Sequence, residues 1–347
     1  MDLKLLLKRG ALLAGANWPV VAVQFIAETT FQVLLAVPVI GAAILVAVLL
    51  GADLADLLRG SLREIFTTIA SALMSEPTAL VAFVTAFTVV LLGGSALMFL
   101  VKGGTVDVLL AANAAAGPIE VQPMTLDTYR SAALFTLQRF SDGCARMFRP
   151  YLALGLTLIL IYVLSGGAYL AFVAYGYRAV EGRALLIGWT FIAALSAAAL
   201  FVWITIVNLL YLLMQIALAA GNERRQGDEA AIGLLDASRA VVRFIYAEFR
   251  DLAGVFLVVL TLVIAATFAS ALAWSGVGLI AFVPLVGLAV FPLQIAALIV
   301  RGIILEYLGL TALGAYVTLY AGYAARMKQA LTVRESPLHG STATSIP

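Results

Sequence analysis

The chain has 347 residues, of which 63% are hydrophobic and only 12% charged, with 21 Lys and Arg against 19 Asp and Glu, a net charge of +2 and one each of Cys and His. Soluble domains carry roughly 25% charged residues, so a water-soluble fold of this length is excluded. One cysteine, Cys144, excludes an intrachain disulfide. A zinc site built from His and Cys needs three or four ligands, and Cys144 and His339 are far apart in sequence, so no metal or other cofactor is expected.

In chain order, Lys4, Lys8 and Arg9 form a basic start, followed by the apolar run 11–16. That run is shorter than the 7–15-residue core of a signal peptide, so the N-terminus is expected to be retained. Uncharged apolar runs then recur at 79–101, 184–220 and 252–300. Runs above roughly 18 residues read as membrane-spanning helices, because lipid offers no partner to a free backbone N–H or C=O. Six spans are predicted at about 24–50, 79–101, 151–175, 186–218, 252–275 and 302–325. Three stretches, 18–50, 184–220 and 275–325, exceed what a bilayer needs. Tilt, a kink at Pro38 or helical extensions into water must absorb the excess. Pro284 and Pro292 interrupt the last region, and 279–300 is expected to be a re-entrant segment leading into the sixth span.

Charge placement supports that threading. Three Lys and Arg in the N-terminus, five in 102–149, five in 221–250 and three after 325 fall on one side. Two in 51–78 and two in 176–185 fall on the other, with Arg301 unassigned. The bias places both termini in the cytoplasm and the chain in the cell inner membrane.

The segments 127–149 and 231–250 look like copies. The first sets Ala133, Leu137, Phe140, Cys144 and Phe148 on one helical face and Arg139, Asp142, Arg146 and Arg149 on the other. The second sets Leu234, Val241, Ile245 and Phe249 against Asp236, Arg239, Arg243 and Arg250. Both end in Phe-Arg, at 148–149 and 249–250, and both precede an apolar span. The segment 3–18, entering its span at Trp18-Pro19, reads as a third, degraded copy. The fold class is therefore all-α: a polytopic helical membrane protein with cytoplasmic amphipathic helices and an internal threefold hairpin repeat. One transmembrane domain is expected over 1–328, with hairpins at about 17–101, 127–220 and 228–328, and a disordered polar tail over 329–347. The arginine faces either meet lipid headgroups or cap the bundle from inside.

Six spans with basic helices between hairpins, and a Gly-rich exit at Lys102-Gly103-Gly104 leading into 106–112, resemble the membrane domain attached to some glycerophosphodiester phosphodiesterases. The resemblance implies a role in membrane organisation or trafficking and carries over no catalytic residue.

Ionisable groups within spans are functional candidates. Glu28 and Glu306 are the acids, with Arg301 the natural partner of Glu306. Asn208 and Gln215 share a face of the fourth span; they and Gln294 read as hydrogen-bonding links between helices. Tyr316, Tyr320 and Tyr323 read as interfacial anchors. Neither a GxxxxGK[ST] nor an HExxH motif occurs, and a Ser–His pair is improbable with the sole histidine in the tail. The expectation is a non-enzymatic scaffold, assembly factor or partner subunit. Its partners would be membrane lipids and another membrane or soluble protein, not nucleic acid. The alternative is a permease for an apolar or lipid-like substrate using Glu28 and Glu306.

Overall fold

The computed structural model describes residues 2–50, 67, 71, 74–119, 125–180, 186–224, 233–281 and 286–335. Among these the chain is all-α, a polytopic helical protein with helices α1 (Leu3–Ala16), α2 (Trp18–Leu50), α3 (Pro77–Ala115), α4 (Leu126–Ala132), α5 (Leu137–Val180), α6 (Leu186–Arg224), α7 (Leu234–Ala281) and α8 (Val286–Glu335). Six of them are long and apolar enough to cross a membrane: α2, α3 and α5–α8. Contacts divide the chain into two compact units, Met1–Ala22 with Gly103–Pro347, and Val23–Lys102.

The excess length of the apolar runs is absorbed by helical extension. In the first unit the amphipathic stretches that begin at Leu137 and Leu234 are continuous with their spans, whereas α1 is a helix separate from α2 and the expected helix 127–149 is broken at 133–136 between α4 and α5. In α5 the joint is Pro150, which removes one ladder hydrogen bond and follows Phe148-Arg149. In α7 it is Glu248, whose φ of −119° and ψ of 24° interrupt the helix just before Phe249-Arg250. Between α1 and α2 it is Asn17, ahead of Trp18-Pro19. Three amphipathic starts thus meet their apolar continuations at three local breaks of different kinds: a proline, a non-helical residue and a gap between helices.

The starts build a packed hub. Leu6, Leu13, Val106, Leu109, Met147, Tyr151, Ile216, Phe244, Val255 and Leu319 are all fully or almost fully buried there. Helix α1 lies among the others. Its Gly10 meets α8 so closely that an added Cβ would sit 2.1 Å from the Thr311 carbonyl oxygen, and a Cβ on Gly314 would sit 3.1 Å from the Gly10 Cα. Tyr307 of α8 donates to the Ala11 carbonyl at 3.1 Å and Tyr129 of α4 donates to the Gly15 carbonyl at 3.0 Å.

Beyond the hub the helices continue as two bare hairpins. No described residue between Gly155 and Val207 is buried, nor any between Val255 and Leu310. Helix α5 extends beyond Gly155 to Val180 and α7 beyond Val255 to Ala281. At 1.5 Å per residue these extensions are about 37 and 39 Å long, enough to cross a hydrocarbon layer of about 30 Å.

Three expectations are corrected. Of the expected re-entrant segment 279–300, residues 286–300 are instead the start of α8, which runs unbroken from Val286 through Pro292 to Glu335 and also covers the start of the expected tail. Pro284, His339 and the rest of the tail lie outside the described residues. Gly103-Gly104 is not a helix end but the middle of α3. A Cβ at Gly104 would lie 2.7 Å from both Cys144 Sγ and the Phe140 carbonyl oxygen, so this pair is a packing seam for α5. Tyr316 and Tyr320 are buried rather than placed at an outer surface, and Tyr320 packs edge-on against Phe244 at 5.2 Å. Helix periodicity placed them on one face, but the hub, not an interface, claims that face.

The second unit holds α2 from Val23 and α3 up to Lys102. There the Phe31 ring occupies the space a side chain at Gly94 would need. Lys102 Nζ donates to the buried Gln24 Oε1 at 3.1 Å.

Candidate functional site

Most polar groups inside the hub are committed to holding helices together. Leu6, Arg9, Gly10 and Leu13 share one face of α1, which places a guanidinium on the apolar side, where it is 1% exposed. Arg9 points at the last turn of α3, whose final carbonyls have no helical partner. Its Nη1 donates to the Ala116 carbonyl at 3.2 Å. Its Nη2 donates to the carbonyls of Asn113 at 3.1 Å and Gly117 at 2.6 Å, and its Nε to Asn113 Oδ1 at 3.3 Å. A cation at a helix C-terminus also complements the helix dipole. Burial pulls the Arg9 pKa below its ordinary value.

Asn17 is equally committed. Its Nδ2 donates to the carbonyls of Leu13 at 3.0 Å and Ala132 at 2.9 Å. Its Oδ1 accepts from the Leu134 and Phe135 amides at 3.1 and 3.0 Å. Sequence reading took Arg9 as part of a basic terminus and passed over Asn17. The readable signal was a lone arginine at helical spacing among leucines.

The six predicted headgroup arginines separate. Arg146 ion-pairs with Asp107 of α3, so it is a link within the hub rather than a free contact. Arg139, Arg149, Arg243 and Arg250 are exposed. Arg239 is exposed too, 3.4 Å from Asp236 one turn earlier. Glu248 at the α7 joint pairs with Arg326 of α8.

The apolar faces also separate. Of the expected apolar face of 127–149 only Phe140 and Cys144 are buried, joined by Met147; Phe148 is half-buried, Ala133 is exposed at the end of α4, and Leu137 is exposed as the first residue of α5. In α7, Ala237, Val241 and Phe244 form the buried side, while Phe249 lies outside it. Leu235, Val242, Tyr246 and Phe249 are instead exposed together, in a 3–4 register with Arg239, and Arg243 and Arg250 lie beside them. This segment therefore carries two apolar faces, one covered by Tyr320 and Tyr323 and one open.

Of the intramembrane candidates, Asn208 accepts from the Tyr162 hydroxyl of α5. The buried Gln215 receives the Tyr151 hydroxyl on its backbone carbonyl at 2.8 Å. Trp203 Nε1 donates to Ser165 Oγ at 3.0 Å. These contacts lie along the α5–α6 pairing, but only the Asn208 side chain links helices as expected of an amide; Gln215 meets α5 through its backbone carbonyl rather than its side-chain amide. Glu28 accepts from Gln32 on its own helix at 3.2 Å and belongs to the second unit, whereas Arg301 and Glu306 belong to the first.

Arg301 does not pair with Glu306. Among the described residues it makes no hydrogen bond or ion pair, and it lines a cleft of about 340 Å³ between α7 and α8. The walls are Ala266, Ala269 and Ser270 of α7 and, on α8, Leu293, Gln294, Ala297, Leu298, Val300, Ile304 and Leu305. Three facing alanines leave the space, and Arg301, Gln294 and Ser270 are its polar points.

Among the described residues no group of three or more His, Cys, Asp and Glu side chains is placed to hold a metal ion. Compared with protein families, curated proteins and solved structures, the chain matches none of them. The likeness to the phosphodiesterase-linked membrane domain therefore rests on the sequence pattern alone.

Proposed function

We propose that this protein is a non-enzymatic scaffold or partner subunit of the cell inner membrane. Both termini are cytoplasmic, and its basic helices engage the inner leaflet or a neighbouring membrane protein. The observation that carries the reading is the open face of α7, where Leu235, Val242, Tyr246 and Phe249 stand exposed beside Arg239, Arg243 and Arg250. A helix at a lipid interface turns apolar and aromatic side chains toward the acyl chains and arginines toward phosphates. The same composition suits a protein surface. Arg9, Asn17, Asp107 and Arg146 are occupied within the hub, which leaves the outward arginines as the groups that meet a partner. The positive-inside distribution supports the orientation. The resemblance to the phosphodiesterase-linked membrane domain points the same way, toward membrane organisation.

The test is Tyr246→Trp in the full chain, reconstituted in nanodiscs. Blue-shifted emission that depends on anionic lipid, and is lost in the R239Q/R243Q/R250Q variant, supports leaflet engagement. A protein that co-purifies in mild detergent and is released by the same triple variant supports the subunit role. Water-exposed emission with no released partner overturns both. Epitope tags on the two termini that report opposite faces would overturn the orientation.

A second reading, a permease for a lipid-like substrate, is favoured by the α7–α8 cleft alone. Neither Glu28 nor Glu306 lines that cleft. Transport that survives in Arg301→Gln but fails in E28Q and E306Q variants would return the role to the acids.

A further inference from the structure

We infer that the α7–α8 cleft is a binding site for one anionic phospholipid, with its phosphate on Arg301 and an acyl chain along the alanine-lined gap. Four observations carry this. First, residues 252–300 contain no charge, so Arg301 is the cation at the end of a long apolar stretch. Second, Arg301 has no hydrogen-bond or ion-pair partner among the described residues, although Glu306 is only five positions away. An uncompensated cation in an apolar stretch is costly and marks function; an anion supplied from outside removes that cost.

Third, the cleft is a shaped space. Its volume of about 340 Å³ falls within the roughly 300–1,000 Å³ of ligand pockets. Leu293, Leu298, Ile304 and Leu305 offer a wall to methylenes, and Ser270 and Gln294 offer hydrogen bonds. Fourth, this part of α7 and α8 has no buried residue among those described and is long and apolar enough to cross a membrane. The amphiphile that surrounds such a surface is a membrane lipid. Arginine is suited to its phosphate because the planar fork binds two oxygens at once, and basic pockets between membrane helices commonly hold lipid head groups. The inference does not depend on the role assigned to the α7 face, since the two sites share no residue.

The experiment is native mass spectrometry of the full chain in mild detergent, titrated in turn with phosphatidylglycerol, phosphatidylcholine and oleate. The expected result is one retained phosphatidylglycerol per chain, with phosphatidylcholine retained more weakly. Arg301→Gln is expected to weaken that retention on the order of tenfold, and Ala297→Trp to abolish it by filling the gap while Arg301 remains. Arg243→Gln on the outer face is expected to leave it unchanged. Equal retention by the wild type and Arg301→Gln overturns the inference, as does equal loss in Arg243→Gln. Oleate retained in place of phosphatidylglycerol overturns the assignment to a phospholipid. If Ala297→Trp fails to fold, judged by its elution profile and helical circular dichroism, the Arg301→Gln comparison decides.

Discussion

Helix α8 is two different objects along its length. From Leu310 to Tyr320 every residue is buried, and the stretch is rich in Thr, Ala, Gly and Tyr. From Pro292 to Gly309 no residue is buried, although Leu, Ile, Val and Ala dominate. Hydropathy alone does not separate the two stretches. The structure does, for a physical reason. Lipid is as apolar as leucine, so burying a leucine against protein gains little over leaving it in the bilayer. Close packing of small residues and hydrogen bonds between helices do distinguish protein from lipid. The hub therefore adds Gly10, Gly314, Asn17 and Arg9 to its aliphatic side chains, whereas the hairpins leave their large aliphatics unburied.

That contrast can be broken from the hub side with the largest effect. Gly10→Leu drives a side chain into the Thr311 carbonyl, which as backbone cannot rotate away. The expected loss is about 3 kcal/mol or more, seen as aggregation in size-exclusion chromatography. Gly93→Leu, at a glycine with nothing within 4 Å of an added Cβ, is the control that should stay monodisperse.

Arg9→Met comes next. It keeps the stem but strands three carbonyl oxygens at the end of α3, while Asn113 Oδ1 keeps the Thr318 hydroxyl, for an expected loss of about 2–3 kcal/mol, read as a lower thermal midpoint in detergent. Asn17→Ala should behave alike at about 2 kcal/mol, with amide exchange rising first at Leu134 and Phe135. At the small end, Leu164→Ala in the bare part of α5, where the side chain is 63% exposed, should move the midpoint by no more than about 0.5 kcal/mol equivalent. A loss comparable to that of Arg9→Met would mean that this hairpin meets another protein, and would erase the contrast.

Much of the fold was legible because its signals are local. The six long apolar helices, and joints near Trp18, Phe148-Arg149 and Phe249-Arg250, follow from hydropathy and from Pro and helix-end residues acting within a turn or two. The site was less legible. Arg146 and Arg139 look alike in sequence, yet only Arg146 meets Asp107, thirty-nine positions away in the chain. Phe249 shares a helical repeat with Val241, yet the break at Glu248 turns the backbone between them. Arg301 sits five residues before an acid that it does not join. None of the three outcomes follows from spacing along the helix alone.

The amino-acid order alone determined that this is a helical polytopic chain and where its amphipathic starts give way to apolar runs, since hydropathy measures the cost of leaving water. It could not determine which apolar face meets protein and which meets lipid, because both are equally dry. That choice, with the roles of Arg9 and Arg301, was made only when α1 came to lie against α8 and α7 paired with α8 around a gap of small side chains.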